Sequence, residues 1–152
     1  NQPRSARLTP RRLVEKAMER LSKKPFKVLA RSKLIETAPL GPSRRRYSNA
    51  AMLIESHLDP LELLEKLHRL EHKAGRHRRC RPWSARPLDL DIILWSGGMW
   101  CTDSLTIPHP QFRKREFVLA PLSQIAPHWR DPVTGLMPLH LLARIKKAYA
   151  KA

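Results

Sequence analysis

The sequence predicts a mixed α/β fold of the α+β sandwich kind. Two segments, 9–21 and 59–75, carry helix-start signals and helical apolar spacing. Two apolar runs, 26–37 and 47–56, lie between them and read as strands. A further apolar run, "PLDLDIILW" at 87–95, reads as a third strand. The order helix, strand, strand, helix, strand becomes βαββαβ, the ferredoxin-like pattern, if one strand is placed ahead of the first helix. The chain opens at Asn1, a few residues before that helix, so the first strand is expected to be absent. At 152 residues, a single domain spanning 1–152 is expected, with additional C-terminal elements.

Each element has a local cause. In "LTPRRLVEKAMERL", Thr9 caps a helix, Pro10 suits its first turn, and Leu13, Val14, Ala17, Met18 and Leu21 form one apolar face. "FKVLARSKLIET" and "YSNAAMLIES" read as one strand each, joined through the loop "APLGPSRRR". In "DPLELLEKLHRLEHKAG", Asp59 caps, Pro60 starts, Glu62 completes a capping-box pair and Gly75 stops the helix. Its inward stripe is Leu64, Leu67, Glu71 and Ala74. The carboxylate on that stripe has two readings: a tilted helix leaving Glu71 at the rim, or a carboxylate aimed at a site. "SGGMW" reads as a hairpin turn with a returning strand, "LTIPHPQFRKREFVLAPL" as loop and short helix, and Pro138 starts a last helix with Leu139, Leu142, Ile145 and Tyr149 inward.

The net charge of +17 favours anionic partners: nucleic acid, anionic membrane or phosphorylated small molecules. No run of about 18 apolar residues and no signal peptide is present, so a cytoplasmic protein without a membrane span is expected. Cys80 and Cys101 fit no metal motif or disulfide framework and read as reduced thiols.

The strand at 86–95 carries the chemistry. Successive strand side chains face opposite ways, so Leu88, Leu90, Ile92 and Leu94 share one face, while Asp89 and Asp91 share the other, roughly 7 Å apart. Two carboxylates on one face repel unless they lie open to water or a hard divalent cation neutralises them. The loop just before them holds Arg76, Arg78, Arg79, Arg81 and Arg86. Arginines beside a metal-binding carboxylate pair suit polyphosphate, which points to phosphoryl or nucleotidyl transfer. Within the same loop Trp83 either stacks on a flat ring or anchors the loop. His109 precedes the cations Arg113, Lys114 and Arg115 and suits a phosphate contact. Tyr47 and Asn49 share a strand face, where an amide reads a heterocycle's donors and acceptors.

"TAPLGP", "YSNAA", "SARPLDLDIILW" and "LTIPHPQFRKREFVLAPL" together resemble the 6-hydroxymethyl-7,8-dihydropterin pyrophosphokinase family of folate biosynthesis, from Asn1 to about Leu142, with Arg-x-x-Asp-Leu-Asp as the specific signature. The resemblance implies a ferredoxin-like fold and transfer of the β,γ-pyrophosphoryl group of ATP to the pterin hydroxymethyl oxygen, with AMP released. It implies that Asp89 and Asp91 bind two Mg²⁺ ions. It assigns ATP contacts to Glu71, Arg76, Arg78, Arg86, Thr106, His109 and Arg115. It assigns pterin contacts to Thr37, Pro39, Leu40, Tyr47, Asn49, Trp83 and Phe117, with Trp83 and Phe117 sandwiching the ring. Arg78 and Arg86 are expected to stabilise phosphate charge during the reaction, so they join the two aspartates as catalytic residues. Arg76, Arg78 and Trp83 would ride a loop that closes over the substrates. The expected partners are therefore ATP and a pterin acting on a monomer, with no nucleic acid and no membrane.

Departures from the family pattern are the absent first strand, the run Arg44, Arg45 and Arg46 beside the pterin entrance, and Arg81-Pro82 within the closing loop. The rival class is a basic nucleic-acid-binding module of ferredoxin-like topology. Its stacking motif on the sheet is missing, and acids stand on the strand where a phosphate backbone would lie.

Overall fold

The computed structural model describes residues 9–37, 46–74 and 87–150. Among these, four α-helices and three two-stranded antiparallel ladders form a mixed α+β arrangement. Pro39, Leu40, Arg76, Arg78, Trp83 and Arg86, together with Cys80, Gly75, Arg44, Arg45 and Asn1, lie outside the described residues.

Helix α1, Pro10–Arg20, starts as expected: the Thr9 hydroxyl accepts from Arg12 N at 3.3 Å. Ala17 and Leu21 are its buried contacts, with Leu13, Val14 and Met18 partly buried beside them. Helix α2, Pro60–Lys73, has the full capping box, with Asp59 Oδ1 accepting from Leu61 N and Glu62 N while Glu62 Oε2 accepts from Asp59 N. Two orphan ends are satisfied reciprocally, which fixes where the helix begins.

The two long strands expected between α1 and α2 are each broken in two. Strand β1, Lys27–Arg31, pairs with β4, Met52–Glu55, and β2, Ile35–Thr37, pairs with β3, Tyr47–Asn49. The break has a single cause at Ser32. Its N–H donates to Ala51 O, but its hydroxyl, not its carbonyl, accepts from Ala51 N at 2.9 Å. A side chain has taken over one ladder position, and the backbone pairing stops there. A bulge between Val28 and Ala30 leaves Leu29 extruded and 52% exposed.

The run 87–94 is extended but, among the described residues, joins no ladder, which corrects the third expected strand. Its backbone bonds go elsewhere: Leu90 N donates to the Glu71 carboxylate, and Ile93 O accepts from His109 N. The side-chain alternation survives at its start, with Leu88 buried and Asp89 and Asp91 exposed. The turn after it closes through Gly98 at φ +92°, whose N–H donates to Trp95 O. The strand expected to return along 87–94 is not formed among the described residues, where one Trp95–Gly98 bridge closes the turn. Strand β5, Trp100–Cys101, pairs forward with β6, Thr106–Ile107.

A 3₁₀ turn, Phe112–Lys114, leads into helix α3, Glu116–Ile125, and helix α4, Pro138–Tyr149, follows. Phe112, Leu119, Leu122, Ala126, Leu141 and Leu142 make the core, with Ile93 and Leu94 packed against it. Helix α4 keeps Leu142 and Ile145 of the expected stripe inward and corrects its two ends. Leu139 and Tyr149 are exposed, and Pro138, Leu141 and Leu142 face inward with Ile145. The stripe therefore follows the spacing 138, 141, 142, 145, the face that packs against α3.

One ion pair ties this half together. The Arg113 guanidinium grips Asp131 through Nε and an Nη at 2.6 and 2.5 Å, and Thr134 Oγ1 and Val133 N also donate to that carboxylate. Burial alone would raise the Asp131 carboxyl, but these donors outweigh it and hold the pKa at about 2. A folded pKa below the ordinary ~3.9 of aspartate stabilises the fold above that value, and the contribution disappears as pH falls through about 2. Urea unfolding of the wild type and Asp131→Asn at pH 5 and pH 2 checks this. The stability gap between them is expected to narrow by about 2 kcal/mol on acidification; a constant gap contradicts it.

Candidate functional site

The exposed side of the 87–94 run opens on a cleft of about 290 Å³. Asp91 and Ile92 form one wall, Leu64 and His68 of α2 another, and the β5–β6 turn a third, with Asp103, Ser104, Leu105 and Thr106. His109 and Pro110 close the end. Three sequence-predicted residues, Asp91, Thr106 and His109, thus meet around one space.

His109 is oriented by its own turn. Gln111 N donates to its Nδ1 at 3.1 Å, so that nitrogen carries the lone pair. The other nitrogen, Nε2, lies 3.8 Å from Asp91 Oδ2. That separation is too long for a hydrogen bond, so both groups keep capacity toward the cleft. The Asp91 side chain is 41% exposed and that of His109 22%.

Glu71 settles the two readings of its stripe on the inward side. It is 1% exposed, and Oε1 accepts from Leu90 N at 2.9 Å. The carboxylate expected among the ATP contacts therefore sits against the backbone between Asp89 and Asp91.

A second group gathers on β2 and β3. Thr37 pairs with Tyr47 across the ladder, and Asn49 Nδ2 donates to Thr37 Oγ1 at 3.0 Å. Three residues expected around the pterin are brought together, with Tyr47 the most open of them. Helix α3 packs against β2 and β3 and carries Phe117 near its N-terminus. The Arg115 guanidinium lies 5.9 Å from the Phe117 ring centroid. Of the basic cluster after His109, Arg113 is turned away to Asp131 and Lys114 is exposed.

Sequence reasoning missed His68, Asp103 and Ser104. His68 had a signal, because it continues the stripe Leu64, His68, Glu71 at spacings of four and three. Asp103 and Ser104 had none beyond a turn-forming composition. Asp89 and Asp91 offer hard oxygen donors on the exposed side, which suits Mg²⁺. Among the described residues no group of three or more His, Cys, Asp or Glu side chains is placed to hold a metal ion. No helix among them is long and apolar enough to cross a membrane.

The hydrogen bond to Nδ1 has a checkable consequence. In the neutral ring, His109 is expected as the Nε2–H tautomer, read from its ¹⁵N shifts above pH 8. An Nδ1–H tautomer contradicts this site geometry.

The model of the 7,8-dihydro-6-hydroxymethylpterin-pyrophosphokinase family matches residues 5–127. Three bacterial proteins, each named 2-amino-4-hydroxy-6-hydroxymethyldihydropteridine pyrophosphokinase, are similar to the chain. The Synechocystis protein is 41% identical over 105 residues, covering 69% of this chain and 53% of the relative. The Haemophilus influenzae protein is 45% identical over 96 residues, covering 62% and 59%. The Pseudomonas aeruginosa protein is 36% identical over 136 residues, covering 88% and 83%. The chain thus matches little more than half the length of the first two.

Proposed function

The chain belongs to the 7,8-dihydro-6-hydroxymethylpterin-pyrophosphokinase family, and we propose that it transfers the β,γ-pyrophosphoryl group of ATP to the hydroxymethyl oxygen of 6-hydroxymethyl-7,8-dihydropterin. The pterin hydroxyl loses its proton to solvent as its oxygen bonds to the β-phosphorus, the bond from that phosphorus to the α–β bridging oxygen breaks, and AMP leaves with that oxygen. The observation that carries the reading is the meeting of Asp91, Thr106 and His109 at one cleft, together with the gathering of Thr37 and Asn49 elsewhere on the β2–β3 ladder.

In this reading the cleft takes the nucleotide. His109, fixed through Nδ1, presents Nε2–H to a phosphate oxygen, and Thr106 offers its hydroxyl. Asp89 and Asp91 would hold two Mg²⁺ ions, which would supply neutralising charge to the polyphosphate. Magnesium takes few protein ligands and fills its shell with phosphate oxygens and water, so two carboxylates suffice. Thr37, Tyr47 and Asn49 receive the pterin, with Asn49 reading its polar edge and Phe117 under the ring. Pro39, Leu40 and Trp83 complete that pocket, and Trp83 covers the other face of the ring. Arg76, Arg78, Arg86 and Arg115 meet phosphate charge, with Arg78 and Arg86 strongest where charge develops.

The test is AMP release from Mg-ATP with and without the hydroxymethyl-dihydropterin. AMP is expected only when the pterin is present, and Asp89→Asn or Asp91→Asn is expected to lower the rate by about a hundredfold or more. Pterin-independent AMP, or undiminished turnover in either variant, overturns the proposal.

A further inference from the structure

The run 87–94 must present two carboxylates outward while its other face enters the core, yet among the described residues it has no strand beside it. An extended chain in that position needs lateral partners for its N–H and C=O groups. Glu71 supplies one. Its carboxylate, 1% exposed, accepts from Leu90 N at 2.9 Å.

Leu90 is the residue between Asp89 and Asp91. A lateral shift or a twist at its peptide moves both aspartates at once. Metal coordination tolerates little of that, since Mg²⁺ requires near-octahedral geometry at about 2.0–2.1 Å. The acceptor itself is rigidly placed. Glu71 sits near the end of α2, whose start is locked by the Asp59–Glu62 capping box and whose middle is anchored by buried Leu67. The same helix sends His68 into the cleft beside Asp91, so one rigid element sets both the cleft wall and the backbone opposite.

We propose that Glu71 is a positioning residue that holds the Asp89–Asp91 pair in metal-binding register through the Leu90 N–H. The inference rests on the proposed metal-dependent pyrophosphoryl transfer. Its requirement is an acceptor at that point, not a third negative charge.

Calorimetric binding of α,β-methylene-ATP to the full chain, with Mg²⁺ and with chelator, tests it on wild type, Glu71→Gln and Glu71→Leu. Mg²⁺ is expected to tighten wild-type binding. Leu is expected to reduce that gain about tenfold or more, the size of effect seen when groups supporting a metal ligand are removed. Gln keeps a carbonyl acceptor and is expected to stay near the wild type. The readout is the Mg²⁺-dependent gain within each protein, so a direct contact of Glu71 with the nucleotide, which would shift both affinities of a variant alike, cancels from it. A purely structural role lowers melting temperature in the Leu variant and leaves its Mg²⁺ gain intact, which overturns the inference. A Gln variant as impaired as Leu overturns it too, in favour of charge. No Mg²⁺ effect in the wild type overturns the proposed function and this inference with it. If the Leu variant does not fold, hydrogen exchange at the Leu90 amide reads the bond directly. Slow exchange is expected in wild type and Gln variant, and fast exchange in the wild type overturns the inference.

Discussion

The structure depends on how one extended run, 87–94, is held sideways. One face carries Leu88 into burial and Ile93 and Leu94 toward the core, and the other carries Asp89 and Asp91 toward solvent. Between those faces the backbone bonds to a buried carboxylate at Leu90 and to the His109 N–H at Ile93. The second bond matters as much as the first. It fastens the turn bearing His109 to the run bearing Asp91, so the two side chains face one cleft through a short backbone link and not through side-chain chance. Helix α2 then closes the third side.

Charge is distributed in keeping with this. Exposed pairs such as Lys27–Glu55 and Arg69–Glu65 add little, because water and salt screen them. The Arg113–Asp131 pair differs, its carboxylate being buried and supported by Thr134 and Val133. It fixes the 3₁₀ turn that follows His109 against the turn before α4, so the end of the cleft and the core share a foundation.

Much of this was legible in the sequence. Caps named the starts of α1 and α2 because capping is local chemistry, decided within four residues. Alternation placed Asp89 and Asp91 together on the exposed side for the same reason. What escaped depends on partners distant in sequence. Nothing near Ser32 announces that its hydroxyl will meet Ala51, and nothing near Arg113 names Asp131. The inward fate of Glu71 was posed by its spacing but decided by Leu90, nineteen residues on. Helix α4 shows a finer limit: Leu142 and Ile145 were rightly placed inward, but Leu139 and Leu141 are equally apolar and only packing against α3 chooses between them.

The central claim is that Asp89 and Asp91 form a metal-binding pair aimed at a nucleotide. Crystals grown with Mn²⁺, α,β-methylene-ATP and the hydroxymethyl-dihydropterin, with anomalous scattering recorded at the manganese edge, address it most directly. The account requires two anomalous peaks between the aspartate carboxylates and the phosphates. Peaks elsewhere, or a bound nucleotide with no metal at either aspartate, would contradict it.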